Sequence, residues 1–377
     1  MNSERILESF EKVRSYLKKN DYKGYDPFDG LNSYLNILTF KNKYLRIGLQ
    51  QTVRRLPFNV RPLLGIGKAR STKGVAFCAS GLLSKYRKTK DENLLIEGED
   101  LMKWVIENRS PYFNNYSWGN HFDYVSRVFY LPKGVPTVVW TGLIGSILVE
   151  YYNATKKEIY LDAIKKTAKF IIEDLPLYDE ENTFCISYIP KQKKNVHNAN
   201  VIGASFLAQA NKSSGIRTEQ IDKLSMAYTA KHQLEDGSWW YGQRKDMRWV
   251  DNFHTGYVLD AFLRYRDASG DSGFDEKIKR GFDYYRKNFF EGDIPKYYFD
   301  KTYPVDIQCA SQSIETLVNF KDIEKANAVA LWTIKNMQGE DGAFYFRKYK
   351  NGENRTPMMH WAQGTMLRAL GRLAEAL

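Results

Sequence analysis

A chain of 377 residues with 43% hydrophobic and 15% aromatic content and no low-complexity tract can build a sizeable core, which excludes a disordered protein. The 56 Lys and Arg exceed the 44 Asp and Glu, and the net charge of +12 suits an acidic partner such as a uronate glycan, a nucleotide sugar, a phospholipid or nucleic acid. Cys78, Cys185 and Cys309 are isolated, with neither a disulfide framework nor CxxC spacing. The first twenty residues lack the apolar stretch of a signal peptide, so the sequence predicts a protein of the reducing cytoplasm.

The amino-terminal helix is followed by DYKGYDPFDGLNS, residues 21–33, whose Gly, Pro and Asp density marks an ordered loop. Asp26 and Asp29 read there either as functional carboxylates or as turn carboxylates that satisfy backbone amides. Apolar periodicity then predicts helices over about 43–55, 73–88, 92–107, 136–153, 158–174, 198–211, 218–233, 253–268, 273–289, 307–319, 322–337 and 359–375. Strand-like residues occur only near 183–189 and 343–349.

The helices come in pairs. Alternate members begin near Val75, Pro136, Asn198, Asn252, Asp306 and His360, and carry small residues among apolar ones, as in VAFCASGLL and VPTVVWTGLIGS. Their partners, such as YLDAIKKTAKFIIEDL, are amphipathic with a lysine face. The pattern predicts an all-α fold, an (α/α)6 toroid of alternating inner and outer helices with an extra N-terminal helix. It would be a single domain over 1–377, with 1–34 forming the helix and loop and 35–377 the barrel; an open superhelix of hairpins is the alternative.

Inner helices that all run one way bring their preceding loops to one rim, and those loops hold the unusual residues. The stretch QLEDGSWWYGQRKDMRWVDNFHTGYVLDAF, 233–262, stops one helix at Asp236-Gly237 and starts the next at Asp251 or Asn252, which places His254 in the first turn. Trp239, Trp240, Tyr241 and Arg248 between them offer the flat faces and charges of a sugar cleft; the other reading is a loop whose tryptophans plug the core. The 116–136 loop adds Trp118, His121, Asp123 and Arg127, and the 187–200 loop adds Tyr188, His197, Asn198 and Asn200. The loops near 294–308 and 344–363 add Tyr298, Tyr303, Asp306, Gln308, Trp361 and Gln363.

Two chemistries fit these residues. Paired carboxylates for hydrolysis would come from Asp123, Asp251 and Asp306, each of which also reads as a helix cap. Uronate elimination or epimerisation would use Tyr188, His197, His254, Tyr241 and Tyr303 for proton transfer and Arg127 for the carboxylate. The expected catalytic set is Asp251, His254, Asp123, Tyr188 and Tyr241, with the remaining rim residues binding substrate. Asp251 and His254, three apart, are expected to act together at the helix start. No HxxxH or HExxH spacing suggests a metal, and no phosphate-binding glycine motif suggests a nucleotide or redox cofactor, so none is expected. The basic residues spread over outer helices without a nucleic-acid-binding motif, which argues against that partner.

KHQLEDGSW and KNMQGEDGAFYF resemble the QW repeat of terpene cyclases and other α/α toroids, which supports the fold. The DxDD acid cluster of the cyclases and the zinc ligands of related toroids are missing. Eight segments in order, DYKGYDPFDGLNS, WGNHFDYVSR, LPKGVPTVV, VHNANVIGA, QLEDGSWWYG, WVDNFHTGYVL, YYFDKTYPVDIQ and HWAQGTMLRAL, are similar to the VpsJ-like toroid family of bacterial exopolysaccharide, capsule and O-antigen gene clusters. This chain departs from that family's WGYPFDWQSR at Asn120, His121, Tyr124 and Val125. The resemblance implies a role in surface-polysaccharide biosynthesis without fixing a reaction; together with the residues above, the expectation is a lyase, epimerase or hydrolase acting on acidic glycan or glycolipid intermediates, in transient association with membrane-bound synthesis machinery. A non-catalytic glycan-binding or scaffold protein and a prenyl-lipid-binding toroid are the alternatives.

Overall fold

The computed structural model describes residues 2–126, 129–192 and 195–377. Thirteen α-helices lie among the described residues. Six form the inner set: α3 (Thr72–Thr89), α5 (Val138–Thr155), α7 (His197–Ser214), α9 (Asn252–Ser269), α11 (Ile307–Asn319) and α13 (Thr365–Ala376). Each packs on the next and α13 returns to α3, which closes the ring. Four start on a capping side chain: Ser71 accepts from Gly74 N, Thr137 from Trp140 N, Asp251 from His254 N and Asp306 from Gln308 N. The toroid expected from the sequence is the fold observed.

The outer layer contains α4 (Glu92–Glu107), α6 (Glu158–Lys169), α8 (Ile221–Lys231), α10 (Asp275–Asn288) and α12 (Ile323–Met337). Its sixth place goes to the N-terminal helix α1 (Asn2–Lys19), which packs on α12 and α13 and reaches α4 through an Arg14–Glu97 ion pair at 2.6 Å. Helix α1 buries Ile6, Phe10, Val13 and Leu17, an apolar stripe at helical spacing. Helix α2 (Lys43–Arg55), which periodicity alone counts as an outer helix, buries only Gln50 and Val53 and lies across the rim instead. There the Gln50 amide exchanges hydrogen bonds with the Val125 backbone, at 2.9 and 3.2 Å.

Ring closure depends on glycine. A Cβ at Gly81 would lie 2.6 Å from the Leu367 carbonyl oxygen, and one at Gly371 would lie 2.5 Å from that of Gly81. The α3 and α13 backbones can approach this closely only because both positions lack a side chain. At the far end of the inner helices, Arg368 and Arg372 of α13 meet Glu315 of α11 and Glu150 of α5, with Arg368 Nε 3.3 Å from Glu315 Oε2. Buried charge therefore fills the axis at that end.

The strands are short and antiparallel. Tyr124–Val125 pairs with Tyr130–Leu131, Leu177–Glu180 with Thr183–Ile186, and Phe290–Glu291 with Ile294–Pro295. Val305–Asp306 pairs with Arg347–Tyr349, which also pairs with Gly352–Asn354. All four groups lie in the loops that lead from an outer helix into an inner one.

Candidate active site

Aromatic rings form a collar at the rim. Trp361 meets Phe253 at 5.7 Å between centroids, Phe253 meets His254 at 4.0 Å, and His254 meets Tyr241 at 4.5 Å. In the other direction Trp361 meets Phe28 at 5.6 Å, Phe28 meets Tyr124 at 5.3 Å, Tyr124 meets Phe129 at 6.0 Å and Phe129 meets Tyr188 at 5.6 Å. The hydroxyls of Tyr124, Tyr188, Tyr241 and Tyr297 have no hydrogen-bond partner among the described residues. Burial raises all four above the usual phenol range, so they stay protonated and available as donors. Apolar faces with hydroxyl tips suit a sugar.

Two carboxylate-backed histidines belong to this collar. Asp251 caps α9 by accepting from the His254 backbone N–H at 3.0 Å, while its Oδ2 lies 2.6 Å from His254 Nδ1 and accepts from Trp249 Nε1 at 3.0 Å. Trp249 in turn stacks on Tyr241 at 4.5 Å, so the dyad is fixed from three sides. A carboxylate beside Nδ1 favours the proton on that nitrogen, and Nε2 has no hydrogen-bond partner among the described residues.

The second pair joins the ends of the chain. His360 Nδ1 lies 2.5 Å from Asp26 Oδ2, and the imidazole packs between Trp140 at 5.3 Å and Trp361 at 5.5 Å. Asp26 also accepts from Phe28 N at 3.0 Å, while neighbouring Asp29 forms a buried ion pair with Arg61 at 2.7 Å. Asp26 thus satisfies a turn amide and also meets a histidine of the collar, whereas Asp29 is a turn carboxylate. Burial pushes the Asp26 carboxyl up, but its contacts with His360 and the Phe28 N–H more than offset it, and it sits below its ordinary value. Burial lowers the His360 imidazole, only partly opposed by Asp26, so it rests neutral.

Two cations at the collar have no carboxylate partner among the described residues. Lys73, in the first turn of α3 and only 6% exposed, places its ammonium 5.0 Å from the Trp140 ring and 6.0 Å from that of Trp361. Burial lowers it to about 8, with Asp26 opposing. Arg54 of α2 lies 4.5 Å from the Phe28 ring, its Nε buried and unbonded. The carboxylates nearby are all engaged. Asp306 accepts from Arg347 Nε at 2.7 Å and Trp361 Nε1 at 3.1 Å, and Asp123 accepts from Tyr130 OH at 2.5 Å and Lys133 N at 2.8 Å across the turn between their strands.

No protein-family model matches the chain, and no curated protein matches it either. Solved structures do match in fold. A cellobiose 2-epimerase from Bacillus thermoamylovorans B4167 superposes with TM-score 0.63 at 11% identity, over 83% of this chain and 90% of that one. An unsaturated glucuronyl hydrolase specific for heparin gives 0.63 at 14%, over 99% and 97%. The GH76 α-mannanase BT2949 of Bacteroides thetaiotaomicron gives 0.61 at 12%, over 83% and 88%. The chain shares the α/α-toroid fold of these structures.

Of the residues singled out from the sequence, Asp251, His254, Tyr188, Tyr241 and Trp361 come together at the collar. Asn198 and Trp240 line a narrow cleft with Tyr241 and His254, and exposed Arg248 covers the Trp240 ring at 4.3 Å. His121 lies beside Asp26 and His360, and burial lowers it to about 4. Tyr298 packs on Tyr297, 4.7 Å away, half-buried Tyr303 packs against the core, and Gln308 donates to the Tyr257 hydroxyl at 3.2 Å. Arg127 lies outside the described residues.

Several others are committed to the scaffold. Trp118 and Trp239 are enclosed, and their indole N–H groups donate to Val105 O and Thr229 O. Asn200 bridges Ile186 N and Ser225 O, and Gln363 brackets both backbone groups of Phe344. His197 is buried between Thr229 and Gln243. The sequence reasoning did not single out His360 or Lys73 and left Asp26 between two readings. The available signals were a histidine opening the last inner helix and a lone cation in the first turn of an otherwise apolar one. Among the described residues no cluster of His, Cys, Asp and Glu could hold a metal ion, and no helix is long and apolar enough to cross a membrane.

Proposed function

We propose that the protein is a sugar epimerase that moves a proton at a carbon next to a carbonyl group, acting on an acidic glycan or glycolipid intermediate of bacterial surface-polysaccharide synthesis. The observation that carries this reading is the pair of imidazoles, His254 on Asp251 and His360 on Asp26, on one aromatic collar. Hydrolysis needs two carboxyl groups free to act as acid and base or nucleophile. Here Asp26, Asp123, Asp251 and Asp306 each hold a partner, and the free nitrogens belong to histidine.

In the proposed step neutral His360 removes the proton through Nε2, and the C–H electron pair moves into the carbonyl to form an enolate. The collar tyrosines donate hydrogen bonds to the developing oxyanion. His254, more open to solvent, takes up a proton from water on Nε2 while Nδ1 donates to Asp251, and passes that Nε2 proton to the opposite face; exchange with water then resets both rings. In the reverse direction the two exchange roles. Lys73 and Arg54 supply charge for a substrate carboxylate. The same cations favour, as a second reading, elimination from a uronate by the same proton abstraction. The toroid fold shared with an epimerase and a glucuronyl hydrolase supports a glycan substrate, and the eight collinear motifs support the surface-polysaccharide setting.

The test is incubation with reducing and uronate-containing oligosaccharides in heavy water. Epimerisation leaves a single deuterium on the inverted carbon. A gain of water by mass overturns the reading in favour of hydrolysis, an ultraviolet-absorbing unsaturated product selects elimination, and no change with any glycan sinks both.

A further inference from the structure

The segment 34–63, which crosses the rim, is unlike the rest of the surface. Tyr34, Ile37, Phe40, Tyr44, Phe58 and Leu63 are between 61% and 81% exposed, whereas no large apolar side chain elsewhere in the described residues exceeds 56%. They are not scattered: the Tyr34 hydroxyl donates to Leu63 O at 3.2 Å, and Phe40 and Tyr44 flank Asn42, whose side chain caps α2. A soluble surface rarely gathers so many apolar side chains without something to cover them. The charge is equally one-sided. From Gly30 to Lys90 the sequence contains no Asp or Glu, and exposed Lys41, Lys43 and Arg55 lie among the apolar tips.

We propose that residues 34–63 are a docking face for an anionic lipid bilayer. Aromatic and aliphatic tips enter the headgroup boundary while interleaved lysines meet the negative surface, the composition that holds a helix in the plane of a membrane rather than across it. A protein partner would more often be met with mixed charge, and 61 consecutive residues without an acid favour a uniformly negative surface. The same helix places Arg54 on Phe28 and Gln50 on the rim strand, so docking would bring the collar close to the lipid surface. The inference stands apart from the reaction, because binding to vesicles needs no turnover.

The experiment is co-sedimentation of the full chain with vesicles of phosphatidylglycerol and phosphatidylethanolamine, against vesicles of phosphatidylcholine alone. We expect about tenfold more protein on the anionic vesicles, falling steeply with salt. The double variants F40S/Y44S and K41E/K43E should each lose most of that binding with unchanged circular dichroism and melting temperature, since all four side chains are exposed. Equal binding to both vesicle types, or full binding by F40S/Y44S, overturns the proposal. So does a lipid-free dimer that F40S/Y44S dissolves, which would assign the face to a second copy of the chain.

Discussion

His360 Nδ1 and Asp26 Oδ2 are 2.5 Å apart, although one opens the last inner turn and the other belongs to the loop after the first helix. Their contact makes the site depend on ring closure, because Gly74 beside Lys73 leaves only 2.8 Å between a would-be Cβ and that of His360. A side chain at Gly74 would push the imidazole away from its carboxylate without touching any reacting group.

Asp251→Asn separates capping from proton transfer. Asn caps a helix about as well as Asp, so the melting temperature should stay close to that of the parent. The charge behind His254 is lost, and epimerisation should fall by about 10²-fold or more. His254→Gln should behave alike, and neither variant should restore polymer in a complemented deletion strain. Parent-level turnover in both would remove the dyad from the mechanism.

Lys73→Met should raise stability while impairing binding. The folded ammonium titrates near 8, below its unfolded value of about 10.4, so the unfolded chain binds the extra proton between these limits. Stability from this group rises with pH through that window and is lacking below it, by about 3 kcal/mol. The Met variant should therefore melt higher than the parent at neutral pH, with the gain shrinking towards about pH 10. Its KM for an acidic glycan should rise about tenfold relative to a neutral analogue. A neutral-pH melting temperature below that of the parent would contradict this account.

His197 predicts acid sensitivity. Burial, reinforced by His232, holds it near 3, against about 6.5 unfolded. Above 6.5 both states are neutral; as pH falls below that value the unfolded chain takes the proton first and stability is lost. At pH 5 the loss is about 2 kcal/mol from this residue. His121 acts in the same sense, so the comparison is between parent and His197→Gln. The variant should be less stable at pH 7.5 yet lose less on acidification to about pH 5, measured by urea midpoints.

Gly81→Ala and Gly48→Ala should diverge. The added methyl at Gly81 meets the Leu367 carbonyl at 2.6 Å and should cost about 2 kcal/mol or more by overpacking. At Gly48, in the exposed middle of α2, a Cβ meets nothing within 4 Å, and Ala should stabilise by about 0.5–1 kcal/mol. Thermal melts of the two variants check both signs.

The helices and the ring were legible in the sequence because inner helices must be small and apolar where neighbours crowd them, while outer ones show a lysine face. The role of α1 was not, since an amphipathic helix does not state which groove it fills; only the ring with a vacant outer place does. The Asp251–His254 contact was legible because three-residue spacing at a helix start is local geometry. Asp26 and His360 share no local geometry, and Lys73 carries no signal beyond being charged where its neighbours are not. Trp118 and Trp239 resembled a stacking platform because indole composition cannot show whether the ring N–H faces a ligand or a buried carbonyl.

The α3–α13 seam also sets an order of events during synthesis. A ribosome that has released α1 through α11 holds an arc with the glycine face of α3 bare and Asp26 without its imidazole. The collar likewise lacks Trp361 until the last turn emerges. Contacts that join residues so far apart in sequence form late and slowly. The Asp26–His360 half of the collar is therefore assembled in the same step that closes the ring.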